Sequence, residues 1–364
     1  MNIIVLTSSR ADYGIYRPLL KKIQSDKFFK LKIVAFGTHL SALYGRTIDE
    51  ITKDGLKVSH ALELMPAGDQ PKDISEAMGK NLEAFAEIWA AEQNKTDLVI
   101  CLGDRYEMFA ALAAIVPFGI PVAHLHGGET TLGAIDNSFR HAITAMSAYH
   151  FVSTKKNAAR VASITGSKKN IYMVGAMGLD NIKETQLLDK ANFKNKFGVL
   201  PDEPVLVTFH PETIATENNE TYVELLINVL SGLKKQIFIT MPNADTGNRI
   251  VRSKLTAFAN SSSRVHAFES LGTQGYLSAM NFSSMLIGNS SSGIIEAASF
   301  GKWVIDLGDR QKGREAGKNV IHCPFDEKKI TAAIKKASGK GPGKKNIYGD
   351  GKTSGRIIKI LKSI

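Results

Sequence analysis

The chain reads as an α/β protein built from two doubly wound, parallel-sheet lobes, and three observations predict this. Its 364 residues are too many for one ordinary core and enough for two domains of roughly 150 to 200 residues each. Short apolar runs recur, each followed by a small or polar turn and then by a stretch of helical periodicity, the alternation of a parallel sheet wrapped by helices. The alternation comes in two series with a polar stretch between them.

In the first series, strands are expected at Ile3 to Thr7, Leu31 to Phe36, Leu98 to Leu102, Val122 to Leu125 and His150 to Ser153. The opening run is apolar but short, lacks a basic start and leads straight into Ser8-Ser9-Arg10, so it reads as a buried strand rather than a signal peptide. A cytoplasmic location follows as an expectation. Met108 to Val116 reads as a helix, and so does the polar stretch Asn181 to Phe197, which marks the start of the second lobe; Pro201 and Pro204 bracket the entry to its first strand. The domains are therefore expected at 1–180 and 181–364. In the second series, strands are expected at Val205 to Phe209, Ile237 to Met241, Met285 to Gly288 and Trp303 to Leu307, with helical character over Ile294 to Phe300. Gly339 to Tyr348 is a Gly/Lys-rich turn region, and Ile357, Ile358, Ile360 and Leu361 are spaced for a closing amphipathic helix.

Composition excludes some classes. Hydrophobic content of 43% and charged content of 22% are ordinary for a globular protein, and no apolar run approaches the ~20 residues of a spanning helix. Cys101 and Cys323 show neither metal-ligand spacing nor a disulfide framework and read as buried small hydrophobes. The net charge of +11 is compatible with nucleic acid, an anionic membrane, or an anionic substrate beside a solvated surface. Much of the excess lies between Lys328 and Lys362 without interleaved aromatics, so it reads as solvated surface, and neither nucleic acid nor membrane is expected as a partner.

The chemistry-bearing residues stand just past strand ends: Arg10, Asp104, Glu129, His210, Asn243 and Ser290. Ligands of open parallel sheets lie beyond those ends, so lobes that face each other would line one cleft with these residues. Gly288-Asn289-Ser290-Ser291-Ser292-Gly293 precedes helical character. Its amides, its hydroxyls at Ser290 and Ser291 and the helix dipole suit a diphosphate, although an Asn/Ser N-cap looks the same. Glu296 would then meet ribose hydroxyls or complement the dipole. Gly103-Asp104-Arg105 is by itself a helix-capping pattern; in His126-Gly127-Gly128-Glu129, paired glycines bring backbone near a ligand while Glu129 projects from it. Asp136 follows, ahead of Arg140-His141. Three carboxylates on one rim would repel one another and supply an acid and a base; alternatively they pair with Arg105 and Arg140 as structural ion pairs. His210 is either structural or a donor to a departing phosphate. Asn243 and Asp245 suit sugar hydroxyls or form a plain turn, and Arg310 either covers a nucleotide or sits in a surface loop. The sequence has no phosphate-loop Gly-Lys-Ser/Thr, no dinucleotide fingerprint and no Asp-x-Asp pair. A leaving diphosphate would therefore be held by protein donors, with neither metal nor cofactor, and the whole points to a nucleotide-sugar enzyme.

Taken in order, Ser9-Arg10-Ala11-Asp12-Tyr13-Gly14, Gly103-Asp104-Arg105, His126 to Glu129, Ile135-Asp136 with Arg140-His141, His210-Pro211, Asn243-Ala244-Asp245, Gly288 to Gly293 with Glu296, and Arg310-Gln311 with Gly313-Arg314 resemble the UDP-N-acetylglucosamine 2-epimerase superfamily. The similarity is to its hydrolysing branch, of the sialic-acid type; the non-hydrolysing branch carries Arg-Pro-Glu where this chain has Arg10-Ala11-Asp12. The resemblance implies a glycosyltransferase-B type fold: two Rossmann-like lobes with a central cleft and a last helix, about 350–364, crossing back onto the N-terminal lobe. It implies conversion of UDP-N-acetylglucosamine and water to N-acetylmannosamine and UDP, by elimination to a glycal and hydration, or the same reaction on UDP-N,N'-diacetylbacillosamine. It carries over Asp104, Glu129, Asp136 and His210 as catalytic, and Arg10, Asn243, Asp245, Ser290, Ser291, Glu296 and Arg310 as substrate- and UDP-binding. In this reading the first lobe handles the sugar and the second the UDP, in a homodimer or homotetramer. A glycosyltransferase of the same fold is the competing enzymatic reading.

Overall fold

Successive side chains of β1 (Asn2–Thr7) enter opposite cores: Ile3 and Val5 pack with Tyr16 and Leu19 of helix Arg10–Ser25, and Ile4 and Leu6 with Phe85 and Trp89 of helix Pro71–Glu92. A strand covered on both faces must be apolar at consecutive positions, which is why it reads as an unbroken run. The computed structural model describes residues 1–364 except 243, 244 and 246. In it, β1 is flanked in parallel by β2 (Lys30–Phe36) and β4 (Leu98–Leu102), so that Ile3 faces Leu31 on one side and Leu98 on the other. With β3 (Val58–Leu62), β5 (Val122–Leu125), β6 (Tyr149–Val152) and β7 (Ile171–Met173) they form a seven-stranded parallel sheet, in the order β3-β2-β1-β4-β5-β6-β7.

The second sheet has six parallel strands: β8 (Val205–Thr208), β9 (Ile237–Thr240), β10 (Val265–Phe268), β11 (Met285–Gly288), β12 (Trp303–Leu307) and β13 (Val320–Cys323), in the order β10-β9-β8-β11-β12-β13. Strand order reverses between β1 and β4 in the first sheet and between β8 and β11 in the second. Those reversals are where open α/β sheets leave a crevice at their carboxyl edge.

The chain divides into two compact units, one of Met1–Glu129, Asp136–Asn181 and Tyr348–Ile364, the other of Thr130–Ile135 and Ile182–Ile347. The short segment Thr130–Ile135 belongs to the second unit because Leu132 N–H donates to the Lys312 carbonyl at 2.9 Å and Ile135 N–H to the Thr213 hydroxyl at 3.0 Å. In the first unit, the closing helix Thr353–Leu361 buries Ile357 and Leu361 against helix Arg10–Ser25. Its first N–H groups, which have no partner within the helix, are capped from outside it. The Asp180 carboxylate accepts from Thr353 N (2.8 Å), Ser354 N (2.7 Å) and the Ser354 hydroxyl (2.5 Å). Asp180→Ala would strand these donors, and about 2–4 kcal/mol of stability is expected to go with them. Amide exchange over residues 353–361 should accelerate selectively in this variant; unchanged exchange there would refute the capping role.

Two helices depart from expectation. The polar stretch after the boundary is two helices, Gly178–Glu184 and Lys190–Phe197, because Asp189 caps the second by accepting from Asn192 N at 2.7 Å and so starts it afresh. Helical character expected over Ile294 to Phe300 is instead a single α-turn, Ser291–Ile295, followed by a tighter 3₁₀ turn, Ala297–Phe300.

Candidate functional site

In the first unit the site begins at the end of β1. Ser9 caps helix Arg10–Ser25, and Asp12 completes a capping box by accepting from Ser9 N at 2.9 Å. The Asp12 carboxylate also accepts from Ser8 N (2.7 Å) and the Thr7 hydroxyl (2.8 Å), with His39 Nε2 at 3.8 Å. Burial opposes its ionisation, but the His39 hydrogen bond and charge, with the Ser8 and Thr7 donors, outweigh it and hold the carboxyl below its ordinary value. Asp12 is thus the structural anchor that sets Arg10 at the first position of the helix, its side chain half-buried.

Across the strand-order reversal, β4 ends in Gly103 at φ 93°, a left-handed turn that presents Asp104. Arg140, only 2% exposed, forms an ion pair with Asp104, 26% exposed, and its other Nη donates to the carbonyl of Glu129 at 3.1 Å. One guanidinium therefore ties the loop after β4 to the loop after β5. Arg105, the other candidate partner, pairs with Glu107 at 2.6 Å. The Glu129 carboxylate, 4% exposed, receives His126 Nδ1 at 2.8 Å and the Ser153 hydroxyl at 2.9 Å, and Asn157 Nδ2 supports Ser153 at 2.8 Å. Asp136 opens helix Asp136–Met146 one turn before Arg140 on the same face.

The paired glycines also have a packing reason. A Cβ on Gly127 would press on His124 Nδ1 and the Thr144 hydroxyl at 3.0 and 3.1 Å, and one on Gly128, at φ 74°, would run into the backbone of Asn157. Close packing of this turn on its neighbouring elements by itself favours glycine here.

His124 braces the same loops, donating from Nε2 to the Gly103 carbonyl at 2.9 Å with Nδ1 3.2 Å from the Thr144 hydroxyl. Burial pushes its pKa down to about 3, and that of His150 on the adjacent strand to about 4. In the unfolded chain both take up a proton near 6.5, so below that value the unfolded state binds more protons and stability falls as pH drops, until the folded imidazoles protonate at about 3 and about 4. Each histidine should contribute up to about 1.4 kcal/mol per pH unit in this window. Urea midpoints should fall between pH 7 and pH 5, and the fall should shrink in His150→Phe; a midpoint indifferent to pH would refute the assignment.

In the second unit, Gly288 leaves β11 at φ 143°, where a Cβ would overlap the Thr208 backbone of neighbouring β8. The next residue, Asn289, exchanges two hydrogen bonds with the backbone of His210: His210 N–H to its Oδ1 at 2.7 Å and its Nδ2 to the His210 carbonyl at 2.8 Å. This fixes His210 beside the serine loop. Ser290 caps the single turn Ser291–Ile295, with its hydroxyl 3.0 Å from that of Ser292. Tyr276 OH lies 2.5 Å from Ser292 Oγ, and Thr208 Oγ1 is 2.7 Å from Thr240 Oγ1, giving a hydroxyl-rich floor. Ser291 sits in the first turn and Glu296 at its end, both half-buried. A single turn sums few peptide dipoles, so anion affinity here rests on amides and hydroxyls and little on a macrodipole.

Arg310 and Asp245, expected as separate ligand contacts, hold each other at 2.8 Å, and Arg310 also donates to the Pro211 carbonyl at 2.6 Å. The pair is nearly buried and cross-links the loops after β8, β9 and β12. Asn243 lies outside the described residues.

The sequence profile of the UDP-N-acetylglucosamine 2-epimerase family matches residues 21–362. The chain belongs to this family. It is 36% identical over 364 residues, 100% of this chain and 96% of the relative, to the hydrolysing UDP-N,N'-diacetylbacillosamine 2-epimerase of Legionella pneumophila. It is 35% identical over 328 residues, 89% of this chain and 85% of the relative, to the hydrolysing GDP/UDP-N,N'-diacetylbacillosamine 2-epimerase of Campylobacter jejuni. Among solved structures, the UDP-N-acetylglucosamine 2-epimerase of Neisseria meningitidis, bound to UDP-N-acetylglucosamine, superposes with a TM-score of 0.82 at 19% identity, covering 100% of both chains.

The fold is thus the α/β, glycosyltransferase-B-like fold of the 2-epimerase family. Within each unit the candidate residues of this epimerase-family chain gather at the strand-order reversal: Arg10 and Asp104 after β1 and β4, His210 and Ser290 after β8 and β11. Residues that sequence reasoning left out of the site, His126, Arg140, Ser153, Tyr276 and Asn289, hold those candidates in place. No helix among the described residues is long and apolar enough to cross a membrane. No group of three or more His, Cys, Asp or Glu among them could hold a metal ion.

Proposed function

We propose that the chain is a hydrolysing 2-epimerase that releases UDP from a UDP-linked 2-acetamido sugar and inverts carbon 2. The observation that carries this reading is the pair Asp104 and Glu129, on loops after neighbouring strands and bridged by one buried guanidinium. The hydrogen on carbon 2 has no adjacent carbonyl to acidify it, so its removal has to accompany loss of the leaving group. A carboxylate takes the proton, the C1–C2 double bond forms, and the C1–O bond breaks with its electrons leaving on UDP. Ser290, Ser291, His210 and Arg10 would stabilise the diphosphate as its charge develops. Water then adds to carbon 1 of the glycal and a proton returns to carbon 2 from the opposite face, with a second carboxylate serving the hydration. Asp104, Glu129 and Asp136 are the candidates for these proton transfers.

The printed activities of the Legionella pneumophila and Campylobacter jejuni relatives support UDP-N,N'-diacetylbacillosamine as the substrate. UDP-N-acetylglucosamine is the second reading, favoured by the family description. Proton NMR of each UDP-sugar with the protein in D₂O and no added metal tests both. The expected products are UDP and a free 2-epimeric sugar carrying deuterium at carbon 2, with the higher kcat/KM on the diacetamido substrate. Release of a UDP-bound epimer would favour a non-hydrolysing enzyme, and no UDP release without an acceptor would favour a glycosyltransferase.

A further inference from the structure

We infer that His126 is the positioning residue for Glu129, fixing the orientation and acidity of its carboxylate as a permanent hydrogen-bond donor. This rests on the reading of Glu129 as catalytic. His126 Nε2 accepts the backbone N–H of Met177 at 3.3 Å, so the ring carries its proton on Nδ1 and points it at Glu129 Oε1, 2.8 Å away. The ring is therefore clamped between two elements, the loop after β7 and the loop after β5. Ser153, at the end of β6, donates to the same Oε1 at 2.9 Å. Two donors on one oxygen fix the rotamer of the carboxylate and favour its ionised form.

The backbone of His126 is in the left-handed region, φ 65°, which costs an L-residue with a bulky ring and is natural for glycine. Nothing about the turn itself asks for histidine. A sequence position where glycine would relieve the backbone, occupied by a ring that donates to a buried carboxylate, is strain retained for the sake of the hydrogen bond. Among the charged or titratable groups near Glu129, Arg140 and His141 are directed at its carbonyl and His124 lies within electrostatic reach. Asp104 lies beyond Arg140.

The contrast of two variants separates this role from a structural one. His126→Gly relaxes the turn and removes the donor; His126→Asn keeps a donor and tolerates the left-handed backbone. His126→Gly is expected to lower kcat on the UDP-sugar by about tenfold to a hundredfold, with KM and UDP affinity within about threefold. Without the donor the carboxylate becomes harder to ionise, so the acid limb of kcat/KM should move to higher pH. His126→Asn should recover most of kcat and return the limb toward its wild-type position. Wild-type kcat and an unmoved pH limb in His126→Gly would overturn the proposal, and so would a loss in His126→Asn as deep as in His126→Gly. If Glu129→Gln keeps full turnover, it is the reading of Glu129 that fails, a result distinguishable from either outcome at His126.

Discussion

Glu129→Gln is expected to cut turnover of the UDP-sugar by a hundredfold or more while leaving UDP affinity within a few fold. The substitution is nearly isosteric, and the amide oxygen can still accept from His126 Nδ1 and the Ser153 hydroxyl, the two donors that hold Oε1. The carbonyl of residue 129, which receives Arg140, belongs to the backbone and is untouched. The variant should therefore fold and bind as the wild type does, and what it loses is the capacity to take or give a proton, worth typically 10²–10⁴ in rate. Single-turnover kinetics for the chemical step and calorimetric titration with UDP read the two quantities separately. Loss of UDP binding together with turnover would mean that Glu129 holds the nucleotide or the fold; intact turnover would remove it from the mechanism.

The sequence made the interior strands of both sheets legible and left the edges dark, for one physical reason. Central strands such as β1, β4, β8 and β11 are covered on both faces and show as continuous apolar runs. The four strands absent from the sequence reading, β3, β7, β10 and β13, are the four edge strands, with mixed burial along Val58–Leu62, Ile171–Met173, Val265–Phe268 and Val320–Cys323. These edge strands are short and only partly covered, so they lack the long unbroken apolar run that marks a strand buried on both faces. At the site, residues on strand-end loops were readable because glycine, histidine and carboxylate fall together there, as in His126 to Glu129. Tyr276 was not, since it projects from helix Gly272–Phe282 and meets Ser292 only through tertiary packing. The packing constraint on Gly127 and Gly128 was not legible for a related reason. The atoms that forbid a Cβ there, on His124, Thr144 and Asn157, come from other elements, and sequence spacing does not place them.

Asp104→Asn and Arg140→Met should separate catalysis from architecture at the ion pair. Arg140→Met removes a buried guanidinium from two acceptors, Asp104 and the Glu129 carbonyl, and is expected to cost about 2–4 kcal/mol, less than for a wholly buried pair because Asp104 is 26% exposed. Arg140→Lys should recover little, since an ammonium at one point does not reproduce a fork aimed at two acceptors. Asp104→Asn leaves the guanidinium a hydrogen-bond acceptor and costs less. In the double variant the two losses should fall short of their sum, with a coupling of about 1–3 kcal/mol in denaturant unfolding. Activity follows a different rule. If Asp104 transfers a proton, Asp104→Asn lowers kcat by about a hundredfold or more even though its fold is sound, and the double variant stays inactive. If Asp104→Asn turns over like the wild type, the carboxylate serves only to seat Arg140, the structural alternative that the sequence left open, and the proton transfers have to be apportioned between Glu129 and Asp136.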